Sequence, residues 1–190
     1  MDTATLPAPT YSYAQAEAAL ARVFGVEPVA MPRLRGRIDH LRKLGLRDER
    51  PGKGQTVAYG ETMILKWLTA LILETAGQDP KKVVQFVSAT WERRRGHDLP
   101  NPSLAELWAH ARISDTDVLA VIRIDHFGSE MATSVPFLLS WQPLASTKLD
   151  EGLQYEFETR LGWEEAVTLV FNLSAWQRRL DGALAAVGGA

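Results

Sequence analysis

Between positions 31 and 54 the sequence sets eight lysine and arginine side chains (33, 35, 37, 42, 43, 47, 50 and 53) against three acids (39, 48 and 49). That segment carries +5 while the whole chain carries −2, so the remaining residues sum to −7. Positive charge concentrated in an otherwise acidic chain points to an anionic partner, and nucleic acid is the first candidate. Guanine presents two acceptors in the major groove that arginine can grip as a fork, and phosphates attract any cation. The candidate contact residues are Arg33, Arg35, Gly36, Arg37, His40 and Lys43 in the first part of the segment, and Lys53, Gln55 and Tyr59 in and beyond its second part. Gly36 belongs with them because a residue without a side chain lets a duplex approach closely.

Other chemistries are less well spelled. The four histidines (40, 97, 110, 126) show no HExxH and no paired-ligand spacing, so no metal is expected. The chain has no cysteine, which removes disulfides and thiolate sites together. "RPGKGQT" lacks the GxxxxGK[ST] of a phosphate-binding loop. Ser134, His126 and Asp125 can be assembled into a triad on paper, but no nucleophile-elbow motif supports one. The expectation is a binding protein that is not an enzyme and uses no cofactor. No apolar run is long enough to span a bilayer and no secretory signal is visible, so the expected location is cytoplasmic, at the nucleoid.

The elements that must position these residues can be read from spacing. "SYAQAEAALARVFG" favours a helix from Ser12, with Ala16, Leu20, Val23 and Phe24 on one side and Gly25 as its stop. Pro32 suits the first turn of a second helix, in which Leu34, Ile38 and Leu41 recur at helical spacing up to Gly45. Rotation by about 100° per residue then puts Arg35, Gly36, Asp39, His40 and Lys43 on the opposite face, with Arg33 at its border. "RDERPGKG" reads as a loop, the tip of a hairpin whose return is "QTVAYG". A long helix from Glu61 to Ala76 is apolar on almost every side, leaving Thr62, Lys66 and Thr69 for water; such a helix calls for neighbours on several faces, a second subunit among them. Gly77 closes it, and Asp79 caps a further helix that ends at Arg93, Arg94 and Arg95.

"GHDLPNP" (96–102) breaks the pattern and marks the expected domain boundary, between 1–95 and 103–190. Beyond it, Ser103 caps a short helix, three β-rich runs follow at 117–124, 132–141 and 166–173, and Pro136 puts the second of them at an edge or bulge. Ser174 with Gln177 looks like a capping box opening a last helix that packs through Trp176, Leu180 and Leu184. The expected fold class is α+β: a mostly helical N-terminal winged helix-turn-helix, then a small α+β domain of about three strands with a C-terminal helix.

Three pieces within residues 12–90 resemble the DNA-binding domain of the MerR superfamily. "GRIDHLRKLGL" is similar to that domain's second helix, "GKGQTVAYG" to its wing, and "LILETAGQDPKKVVQFV" to the helices that follow. The chain departs from the pattern where "RIDH" replaces R-Y-Y and "TVAY" replaces Y-R-Y, and it lacks the family's long C-terminal coiled-coil helix and its sensor cysteines. The resemblance implies double-stranded DNA as partner, contacted by a recognition helix and a wing, and a bacterial or phage origin. It implies neither metal response nor the family's way of activating promoters. The leading expectation is a homodimeric, sequence-specific transcriptional regulator, with residues 103–190 serving dimerisation, an effector, or contact with the transcription machinery or another protein. The alternatives are a phage-type DNA-handling protein, such as a small terminase subunit or excisionase, and a protein-interaction adaptor that has lost DNA binding.

Overall fold

The computed structural model describes residues 9–47, 57–92, 103–115, 117–124 and 167–188. They form six helices and two short antiparallel sheets, an α+β chain dominated by helix. The chain divides into two compact units: Met1–Val87 together with Arg179–Ala190, and Ser88–Arg178. The expected boundary at 96–102 lies outside the described residues. The return of residues 179–190 to the first unit departs from the sequence pattern, which places the last helix whole in the second half.

In the first unit, β1 (Thr10–Tyr11) leads into α1 (Tyr13–Phe24), a 3-10 turn (Pro28–Ala30), α2 (Met31–Lys43), β2 (Tyr59–Gly60), α3 (Glu61–Thr75) and the start of α4 (Pro80–Trp91). β1 and β2 pair antiparallel, Thr10 with Gly60 and Tyr11 with Tyr59. Thr10, expected in a flexible lead, is thus tied to Gly60 at the start of α3. Ser12 opens α1 with a full capping box, its hydroxyl accepting from Gln15 N while the Gln15 side chain accepts from Ser12 N. α1, α2 and α3 each end on a glycine at positive φ: Gly25, Gly45 and Gly77. The residue after each glycine donates to the carbonyl five positions back, as Leu46 N does to Leu41 O, which satisfies carbonyls the helix end would strand.

The apolar stripes meet in one core. Leu34, Ile38 and Leu41 of α2 are buried, as are Ala16, Ala19, Leu20 and Val23 of α1. α3 buries ten of its fifteen residues inside the single chain. That burial removes the reason for placing a second subunit against it. Thr69, expected to face water, is buried because its hydroxyl donates to Leu65 O one turn back. Asp79 caps α4 by accepting from Lys82 N.

In the second unit, α5 (Leu104–Ile113) is opened by a Ser103–Glu106 capping box. β3 (Leu119–Ile124) pairs antiparallel with β4 (Val167–Asn172), from Leu119 opposite Asn172 to Ile124 opposite Val167. The expected strand at 132–141, with Pro136, lies outside the described residues. α6 (Leu173–Gly188), whose residues from Arg179 on belong to the first unit, starts earlier than expected. Asn172 caps it, its side-chain oxygen accepting from Ala175 N. Ser174 instead bridges elements: its buried hydroxyl accepts from Val118 N and donates to Ala111 O. Leu180 and Leu184 are buried as expected, whereas Trp176 is only half-buried.

Candidate nucleic-acid interface

α2 carries its polar residues in three sectors around the buried line Leu34, Ile38 and Leu41. On the flank toward α1, Arg35 Nε donates to Glu17 Oε2 at 3.0 Å. Glu17 is 3 % exposed and, among the described residues, its other carboxylate oxygen has no hydrogen-bond partner, so the Arg35 contact is what compensates this buried charge. That bond holds the Arg35 pKa above its ordinary value. Beside it, Asp39 accepts from Tyr13 Oη and from Arg42 Nη1, and the Arg42 guanidinium lies over the Tyr13 ring at 5.2 Å. Burial, and then the Asp39 carboxylate, push the Tyr13 hydroxyl up to about 12.

On the other flank, Arg37 reaches α3. Its Nε donates to Glu74 Oε2 at 2.8 Å, and its Nη2 donates to Leu71 O and Thr75 Oγ1. These bonds gather the carbonyl end of α3, where a cation also suits the helix dipole. Arg35, Arg37 and Arg42 therefore fix α2 against its neighbours.

Between the flanks lies a line of exposed residues: Arg33, Gly36, His40 and Lys43, spaced three, four and three apart, followed by exposed Arg47 beyond the helix end. Among the described residues, Arg33, His40, Lys43 and Arg47 have no intramolecular partner. A Cβ built on Gly36 would meet nothing within 4 Å. No neighbour in the fold requires a glycine there, although a helix-interior glycine costs about 0.5–1 kcal/mol against alanine.

The expected contact residues thus fall into groups. Arg33, Gly36, His40 and Lys43 share one open face. Arg35 and Arg37 are held at its two edges by carboxylates. Tyr59 is 3 % exposed, its ring 4.9 Å from that of Trp67, and leaves almost no surface for a partner. It is a packing residue, because β2 turns it into an aromatic cluster with Tyr13 and Trp67 instead of out along a wing. Trp67 ties that cluster to the turn after α2 by donating to Leu46 O. Lys53 and Gln55, with the wing, lie outside the described residues, as do Arg93, Arg94 and Arg95. Sequence reasoning missed the anchoring role of Glu17, whose signal was a charge on the apolar side of α1, one residue from Ala16 and three from Leu20. The chain matches no family profile, no curated protein and no solved structure. Among the described residues there is no cluster of three metal-ligating side chains and no helix long and apolar enough to cross a membrane.

Proposed function

We propose that the protein is a sequence-specific DNA-binding regulator that lays the exposed face of α2 in a major groove. The observation that carries this reading is the division of labour on α2. Three arginines are used to hold the helix, while Arg33, His40 and Lys43 have no partner among the described residues and lie on the one face whose centre is a glycine with empty space above it. Exposed hydrogen-bond donors on a rigid element suit phosphates and base edges, and the bare backbone at Gly36 suits close approach. The MerR-like winged helix-turn-helix is the fold that this reading invokes, with Lys53 and Gln55 on its wing. Two copies reading two half-sites belong to the same proposal, though α3 gives no reason for them.

The adaptor reading has one observation in its favour. Half of the six described cations between positions 31 and 47 are consumed by internal pairs, which lowers the charge left for a polyanion. Gel shifts decide between the two. The full chain should shift random duplex at low salt and a selected site more tightly. The Lys43→Ala variant should weaken both and make the salt dependence shallower by about one unit, since one phosphate fewer is neutralised. A folded chain that shifts no DNA at low salt overturns the reading. A phage-type DNA-handling role would pass the same test, and positions bound across a genome separate it from regulation. Light scattering in the presence of DNA gives the copy number.

A further inference from the structure

Val29 sits in the 3-10 turn that runs directly into α2. It is 89 % exposed, more than any other large apolar residue described. A single exposed valine needs no explanation by itself. Its position supplies one. Val29 precedes Gly36 by seven residues, about two helical turns, so it extends the line Gly36, His40, Lys43 toward the N-terminal end of the helix. The residues at that end of a recognition helix are the ones that reach base edges. A valine offers nothing to a phosphate. It offers a small apolar surface, and the major groove contains one small apolar group, the 5-methyl of thymine.

Resting on the DNA reading above, we infer that Val29 is a specificity-determining residue that packs on a thymine methyl in the site the protein selects. The chemistry around it favours this over a protein partner. Surfaces that mark protein docking are contiguous apolar patches larger than a few hundred Å². Exposed Pro28 and Pro32 flank Val29, but the exposed line then continues through Arg33, Gly36 and His40, and the other exposed large apolar residues described, Ile113 and Val170, belong to the second unit. A methyl group needs only one apolar neighbour.

Uracil tests the inference, because it differs from thymine by that methyl alone. A site is first selected from random duplex with the full chain, and each thymine in it is then replaced singly by uracil. The wild type should bind one of the uracil-containing sites about fourfold more weakly, the effect of burying one methyl-sized group. Val29→Ser should bind the all-thymine site about fourfold more weakly and be indifferent to that replacement, whereas Val29→Ile should keep the wild-type sensitivity. With so exposed a side chain the variants should keep the wild-type circular dichroism. If the chain selects a site but no replacement distinguishes the wild type from Val29→Ser, the assignment to Val29 is overturned and the DNA reading stands. If no site is selected and random duplex is not shifted at low salt, both fall together.

Discussion

Removing the Arg35 guanidinium would strand the Glu17 carboxylate, because neither oxygen would then have a partner in a position that water barely reaches. Arg35→Ala should therefore lower stability in urea unfolding, through the penalty of an unsatisfied buried polar group at Glu17. Glu17→Leu in the same chain should recover most of that loss, since an apolar side chain needs no partner there. The residue was visible in the sequence as a cation on the outer face of a helix, but its partner lies eighteen positions away on another helix, and pattern within one element does not reveal a bond between two. Tyr13 gives a test by pH. Its folded pKa, about 12, lies above the ordinary value of 10, so the folded state favours the protonated phenol. The corresponding stabilisation is complete below pH 10 and is lost as pH rises toward 12, where a tyrosinate would face Asp39. Alkaline unfolding should show this slope in the wild type, and Tyr13→Phe should flatten it.

Elements differ in what their glycines do. Gly45 ends α2 at φ 116°, where any side chain is strained, and its neighbours bond back across the helix end. Gly36 lies mid-helix with open space at its Cβ. The two should answer the same substitution with opposite sign. Gly45→Ala should destabilise by about 1–2 kcal/mol, and Gly36→Ala should stabilise by about 0.5–1 kcal/mol, both read from thermal melts. Gly36→Gln should leave the fold intact but weaken DNA binding; unchanged binding would show that nothing approaches α2 there. Helices with a capping residue, an apolar stripe and a glycine stop were legible from the sequence because each signal is local. The start of α6 was less so. Asn172 and Ser174 are both good caps two positions apart, and the choice between them is made by Val118 and Ala111, which hold the Ser174 hydroxyl elsewhere. Two-residue strands such as Thr10–Tyr11 have no periodicity to read.

For the whole molecule, the first unit is built from both ends of the chain. Gln15 Nε2 donates to Val187 O, and Leu180, Ala183 and Leu184 are buried. A fragment of residues 1–96 should therefore melt well below the full chain and bind DNA weakly, even though it contains all of α1, α2 and α3. A fragment as stable as the full chain would show that residues 179–190 add nothing to that core. The sequence pointed the other way because the composition change at 96–102 is conspicuous, whereas the return of a helix end to a distant unit is a packing fact with no local mark.

That arrangement also has a consequence for how the protein is made. The residues of the proposed DNA-reading face are synthesised well before the twelve that complete their unit, which follow the whole intervening stretch, Ser88–Arg178. At ordinary translation speeds the wait is roughly 5–20 s, during which α1, α2 and α3 exist without their closing partner. A chain cut short by a premature stop would never close its first unit, so incomplete copies would be poor competitors for whatever the finished protein binds.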